Sequence, residues 1–226
     1  MAERPAPRVF TIDVVSDVVC PWCYIGKRRL AAALARLARR HGDVDFQVSW
    51  HPFQLNPDLP AGGVDRSQYV ADKFGGPERA AEIYARVREA GTSVGIPFAF
   101  ERIERQPNTL DAHRLVSWAQ RQGPADALIE ALFRACFLDG RYLGDRATLA
   151  TIAGEAGFDA ESARAMLAGD EGIENVRALD ARVRELGVTG VPFFIFDNRV
   201  AVAGAQEPEA LIEAIEEALA APVDAA

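Results

Sequence analysis

Cysteine and histidine are scarce in this chain, three of each, and that scarcity excludes several classes of protein. A disulfide-stapled secreted scaffold needs more paired cysteines, and a zinc site needs four ligands at suitable spacing. The histidines stand apart at positions 41, 51 and 113, so no metal is expected. No apolar run approaches the ~20 residues that cross a bilayer. The N-terminal stretch Met1 to Arg8 is polar, and Val9 to Val19 is broken by Asp13, Ser16 and Asp17, unlike the core of a secretion signal. The expected compartment is therefore the cytoplasm, with no membrane partner. Basic residues are also in deficit, 25 against 33 acidic ones for a net charge of −8. Nucleic acid is not an expected partner, because phosphate binding takes a concentrated basic surface. Phosphate-cradling glycine loops are missing too: Gly62-Gly63 and Gly75-Gly76 follow no strand. No Ser-His-Asp arrangement, internal repeat or low-complexity tract is found.

What is present suits a folded globular protein, with 49% hydrophobic and 26% charged residues. Val9 to Val15 is short and β-branched, which predicts a buried strand. A helix is predicted over Tyr24 to Arg40, with Ile25, Leu30, Leu34 and Leu37 near helical spacing, and Gly42-Asp43 ends it. Val44 to Trp50 alternates apolar and polar residues as a second strand, completing a β-α-β unit with parallel strands. From Asn56 to Asp170 no strand is expected. Six helices are, over Arg66–Phe74, Pro77–Gly91, Thr109–Gln122, Ala125–Leu138, Asp145–Ala156 and Ala160–Leu167. Asn108 or Thr109 caps the third, and Pro124 and Asp159 mark other starts. A helix with Ile173, Val176, Leu179, Val183 and Leu186 on one stripe follows. Then come a hairpin, Phe193–Phe196 and Val200–Ala203 with its turn at Asp197-Asn198, and a last helix over Glu207 to Ala220. The order is β-α-β, a run of helices, then α-β-β-α. This is an α/β chain whose core, residues 1–55 and 171–226, is interrupted by an all-helical insertion at 56–170.

Cys20-Pro21-Trp22-Cys23 sits where the first strand gives way to the first helix. Disulfide exchange needs an attacking thiolate and a second thiol close by to resolve the mixed disulfide. At a helix start, the unpaired backbone N–H groups and the positive end of the dipole favour a thiolate at Cys20. Cys20 is expected to be exposed, and Cys23, within the first turn, to be more shielded. Pro21 suits that turn, where its missing N–H costs nothing. Trp22 carries no charge to help the thiolate, so an intermediate reduction potential is expected. The other reading, half a zinc site, finds only Cys136 and the scattered histidines as further ligands, and redox chemistry is favoured.

Val191-Pro192 lies between a helix and a strand. Alone it reads as an ordinary trans proline before a strand. Taken with the cysteine pair, a cis bond is expected, exposing the Val191 backbone beside Cys20 so that an extended substrate pairs with it while its sulfur meets the thiolate.

Ser16-Asp17-Val18-Val19-Cys20-Pro21-Trp22-Cys23-Tyr24-Ile25-Gly26, Gly190-Val191-Pro192-Phe193-Phe194 and Gly204-Ala205-Gln206 resemble the FrnE-like branch of the DsbA family. Trp50-His51-Pro52-Phe53-Gln54-Leu55-Asn56-Pro57 and Pro107-Asn108-Thr109-Leu110-Asp111-Ala112-His113-Arg114 extend the likeness over nearly the whole chain. The resemblance implies a thioredoxin-like fold interrupted by helices, and dithiol–disulfide exchange with protein or small-molecule thiols. It makes Cys20 the attacking thiol, Cys23 the resolving thiol and Pro192 a cis proline facing them. Pro21, Trp22, Val191, Asn56 and Gln206 become the expected substrate contacts. No bound cofactor is implied, since the cysteines carry the electrons; glutathione is admitted as a redox partner. One position departs. Thioredoxins carry a buried acid six residues before the first cysteine, where this chain has Val14, with Asp13 beside it and Asp17 nearer the pair. No proton acceptor for Cys23 is thereby assigned. The likeness extends to 2-hydroxychromene-2-carboxylate isomerases and kappa-class glutathione transferases, which place a serine where this chain has Cys20. They supply the alternative of a glutathione-dependent isomerase or transferase for a small aromatic substrate. If glutathione binds, the likeness puts it near Asn56, Val191 and the helix start at Ala205-Gln206. Phe53, Phe98, Phe100 and Trp118 would then line a pocket, although core packing suits each of them.

Cys136 shares a helical face with Leu128, Ile129, Leu132 and Phe133 and reads as a buried structural thiol. His113 reads as a core or cap-supporting histidine, His41 as a complement to the dipole of the first helix, and His51 remains open between roles. Lys27, Arg28, Arg29, Arg36, Arg39 and Arg40 read as one solvated helix face. Monomer and homodimer are equally open.

Overall fold

The computed structural model describes residues 7–221; the ends of the N-terminal stretch and of the C-terminal tail lie outside them. Four strands form one sheet in the order β2-β1-β5-β6: β1 Arg8–Ser16, β2 Val44–Pro52, β5 Phe193–Phe196 and β6 Val200–Ala203. β1 is central because its sequence is apolar enough to be covered on both sides. It pairs parallel to β2, with Val14 opposite Trp50, and antiparallel to β5, with Val14 opposite Phe194. Phe10, Ile12 and Val14 lie in the main core under α1 (Pro21–Arg40) and α9 (Pro208–Ala220). Val15 joins Phe53, Val183 and Val188 in a smaller cluster, which α8 (Ile173–Glu185) helps to form. The turn of the β5–β6 hairpin holds Asp197 at φ 51° and Asn198 at φ 55°, the left-handed region that these two side chains tolerate best after glycine.

Between β2 and α8 run α2 Arg66–Phe74, α3 Pro77–Ser93, α4 Leu110–Gln120, α5 Asp126–Phe137, α6 Arg146–Glu155 and α7 Ala160–Ala168. Asp145 and Asp159 cap α6 and α7, accepting from the Thr148 and Ser162 N–H groups. Asn108 rather than Thr109 serves α4, its Oδ1 accepting from Leu110 N–H. Aromatic rings tie α5 to α1. Tyr24, next to Cys23, stacks on Phe133 at 5.0 Å and meets Phe98 edge-on at 6.2 Å. Such pairs contribute roughly 0.5–1.5 kcal/mol each beyond their buried area.

The structure corrects three local expectations. α1 starts at Pro21 rather than Tyr24, since a proline is already helical in the first position. A two-residue ladder, β3 Val64–Asp65 against β4 Arg105–Gln106, interrupts the region expected to be purely helical; two residues carry no alternation to read. Leu186 leaves the apolar stripe of α8 and is 65% exposed. Asp180 is buried instead, accepting from Gln54 N–H and Arg184.

Candidate active site

Cys20 occupies the N-cap of α1 in an extended conformation, φ −94° and ψ 112°. Its carbonyl accepts from Cys23 N–H at 3.0 Å, which closes the first turn and brings the two sulfurs to one end of the helix. Both cysteines are unbridged thiols. Cys23 is 1% exposed and Cys20 only 5%. The expectation of an exposed Cys20 is therefore corrected: its neighbour Trp22 projects instead, at 39%. The reason lies across the chain, where the Val191 carbonyl accepts from Cys20 Sγ at 3.6 Å. Burial pushes the Cys23 thiol well above its usual range, and the nearby Cys20 sulfur adds to this; the Asp17 N–H and the Ser16 hydroxyl pull the other way.

The Val191-Pro192 bond is cis. Pro192 O accepts from Gly204 N–H at 2.8 Å, so the end of β6 is tied to the same loop. Gly26, one turn into α1, allows this close approach. A Cβ there would lie 2.9 Å from Pro192 Cγ and 3.1 Å from Phe194 Cζ.

Asp17 lies wholly buried between β1 and α1. Its carbonyl accepts from Cys20 N–H at 3.0 Å and its Oδ2 from Leu55 N–H at 2.8 Å. His113 of α4 puts Nε2 3.4 Å from Asp17 Oδ1. His51 bonds Asp13 at 2.7 Å. These side-chain relations join segments 38 residues apart or more, with His113 and Asp17 the farthest, and left no local signal in the sequence.

The expected substrate contacts do not all sit alike. Pro21 follows Cys20 in the chain, Trp22 lies one residue further on, and Val191 meets Cys20 through the 3.6 Å contact. Asn56 follows Leu55 out of β2, with Oδ1 accepting from Lys73 Nζ at 2.9 Å and its Nδ2 buried without a partner. Gln206 is folded back, donating to Ala203 O at 2.9 Å.

One other expectation is overturned. Lys27 and Arg29 are buried rather than solvated. Lys27 lies between Asp126 and Glu130 at 3.0 and 3.1 Å, and Arg29 donates to Ala205 O and pairs with Glu207, both at 2.5 Å. Acidic residues from distant helices, invisible to a local reading, drew them inward. The four aromatic side chains weighed for a pocket pack in or against the core, the reading that suited each of them. Phe98 stacks on Phe100 at 4.9 Å, Trp118 packs by Phe158, and Phe53 lies under Arg184. Cys136 is buried as expected, and burial pushes its thiol up to about 12. Among the described residues no three His, Cys, Asp or Glu side chains are placed to share a metal ion, and no helix is long and apolar enough to cross a membrane.

Comparison with known proteins agrees with this geometry. The chain superposes with a TM-score of 0.85 on a Streptomyces coelicolor protein described as a probable DsbA oxidoreductase, at 32% identity over 96% of this chain and 94% of that one. It is 27% identical to the Bacillus subtilis protein YwbO over 84% of its length and 88% of that protein's. A 2-hydroxychromene-2-carboxylate isomerase shares the fold at a TM-score of 0.66 and 16% identity, over 92% of this chain and 95% of that one. Residues 11–216 match the model of the DSBA-like thioredoxin domain. The chain belongs to that family of thiol oxidoreductases.

Proposed function

We propose that the protein exchanges disulfides with protein or small-molecule thiols through Cys20 and Cys23. Cys20 attacks a substrate disulfide, forming a mixed disulfide and releasing the first substrate thiolate. Cys23 then attacks Cys20 Sγ, closing the Cys20–Cys23 disulfide and releasing the second thiolate. Two electrons pass from the pair to the substrate, and the reverse direction oxidises a dithiol. The observation that carries this reading is the meeting of Cys20 Sγ and the Val191 carbonyl at 3.6 Å, at a helix start with Cys23 buried one turn on.

In this reading an extended substrate lies along the backbone of Val191, with Pro21 and Trp22 beneath it and Asn56 and Gln206 at the rim. No bound cofactor takes part, and glutathione serves as a redox partner. The helices of residues 56–170 form an insertion domain over a thioredoxin-like core made of residues 1–55 and 171–226, and a reducing compartment, the cytoplasm, suits the free dithiol. Glutathione-dependent isomerisation is the weaker reading, because Cys20 stands where those enzymes keep a serine and because the aromatic residues it requires do not share a pocket.

The test is insulin reduction with dithiothreitol as electron donor. Cys20→Ser is expected to lose the activity while keeping the parent's circular dichroism; full activity in this variant would remove the proposal. Turnover of an aromatic substrate with glutathione that survives Cys23→Ser would favour the isomerase reading instead.

A further inference from the structure

Cys23 must lose a proton when it resolves the mixed disulfide, yet it is the more buried thiol of the pair. Three buried polar atoms on this side of the fold lack a hydrogen-bond partner: Ser16 Oγ, Asp17 Oδ1 and His113 Nε2. Ser16 borders the thiol closely enough to favour its ionised form, although the two make no well-aligned hydrogen bond. Asp17 Oδ1 and His113 Nε2 are 3.4 Å apart and likewise lack the alignment of a hydrogen bond. Ser16 and His113 line a cavity of ≈ 10 Å³, together with Trp50, His51, Pro52 and Ser117. That is about the space for one water; Val18, Val116 and Ile129 make much of the wall apolar, and the unpartnered Ser16 Oγ and His113 Nε2 supply the polar partners that a buried water needs. His51 borders the same cavity, is bonded to Asp13, and is 31% exposed in its side chain. The cavity thus joins Ser16, which borders the buried thiol, to a partly exposed imidazole.

We propose that His113, whose Nε2 stands beside the Asp17 carboxylate that would stabilise its charged form, takes up the Cys23 proton through the Ser16 hydroxyl and one water in this cavity, and that the proton leaves by way of His51. The proposal rests on the redox reading above. When Cys23 Sγ attacks Cys20 Sγ, the new sulfur–sulfur bond forms, the bond from Cys20 to the substrate breaks, and its electron pair leaves on the substrate sulfur. The proton of Cys23 passes to Ser16 Oγ as the Ser16 proton passes through the water to His113 Nε2. Imidazole is suited to this because a ring nitrogen can accept a proton and pass one on. The titratable groups facing His113 are Asp17 from the β1–α1 loop and His51 from β2. The buried or paired charged groups on α4 and the helices packed against it are engaged elsewhere. Arg114 of α4 itself donates to the carbonyls of Met166 and Gly169, and Arg146 of α6 to Asp111. Glu130 of α5 is taken by Tyr24 and Lys27, Asp180 of α8 by Arg184, and Glu161 of α7 by Arg164. Asp17 and His113 act through Ser16 and are positioning residues for the proton.

The experiment is stopped-flow reaction with the aromatic disulfide dithiobis(nitrobenzoate) from pH 5 to 9. The first burst of coloured thiolate reports attack by Cys20, and the second reports resolution by Cys23. In the parent the second phase is expected to level off across neutral pH. His113→Gln is expected to slow it roughly tenfold or more at pH 7, within the range of general acid–base catalysis, and to make it climb about tenfold per pH unit as hydroxide takes over. The first phase should change less than twofold. Ser16→Ala, which leaves His113 in place, should give the same steep profile and decides the matter if His113→Gln does not fold. A folded variant of either kind with the parent's second-phase profile overturns the relay while leaving the exchange reading intact. Absence of any first burst in the parent overturns both.

Discussion

Gly26 and Pro192 meet so closely that a single added carbon on the glycine would stand 2.9 Å from the proline ring. Helix α1 therefore rests on the Val191-Pro192 loop through a missing side chain, and the position of the Val191 carbonyl over Cys20 depends on that contact.

Gly26→Ala is expected to destabilise the protein by about 1 kcal/mol in urea unfolding. The overpacking cost of roughly 1–3 kcal/mol exceeds the ~1 kcal/mol that alanine gains over glycine inside a helix. Gly26→Val should cost more and slow insulin reduction. An alanine variant as stable as the parent would mean that the loop yields freely and does not set the site.

The two thiols should separate in a trapping experiment. Cys23→Ser should accumulate a mixed disulfide with a substrate protein, visible on a non-reducing gel, because Cys20 attacks and nothing resolves. Cys20→Ser should accumulate none, since burial holds Cys23 protonated far above neutrality. Equal trapping by both variants would reverse or erase the assignment of roles.

Lys27 joins α1 to α5, its ammonium buried between Asp126 and Glu130. Lys27→Met is expected to cost about 1–3 kcal/mol, below the ~3–5 kcal/mol of a fully buried pair because Asp126 is 63% exposed and screened by solvent. Burial pushes the Glu130 carboxyl up, but the Tyr24 hydroxyl and Lys27 outweigh it and hold the group below its usual range. Its contribution is thus full above pH ~4.5 and fades as pH falls through the lowered native value. The stability gap between parent and Glu130→Gln should narrow in acid; a gap that widens there would contradict the ion pair.

Cys136 is protonated in the folded state up to about 12 because of burial, whereas an unfolded thiol ionises near ~8.5. A raised native value means that its stability contribution is intact below ~8.5 and is lost as pH climbs from there toward the native value, by about 1.4 kcal/mol per pH unit. Cys136→Ala should be less stable at pH 7 through the cavity it leaves, yet lose stability less steeply between pH 9 and 11. Parallel alkaline limbs for the two proteins would place Cys136 nearer to solvent than the structure does.

Local order was written into the residues themselves. β-branched runs gave β1 and β2 away, Phe193–Phe196 and Val200–Ala203 marked the hairpin, and Pro, Gly and Asp marked most of the helix ends to within a few residues, because period and capping act over one or two turns. Cys20, Cys23 and Pro192 were recognisable for the same reason: each belongs to a short motif. What the residues did not disclose was partnership across the fold. Whether Lys27 faced water or Glu130, and whether His113 capped a helix or met Asp17, was decided only when α1, α4, α5 and β1 packed together. A side chain's burial and charge balance depend on neighbours supplied by segments far away in the chain. Sequence alone therefore set the elements and the cysteine pair, and tertiary packing decided how deeply the thiols are buried and which groups surround them.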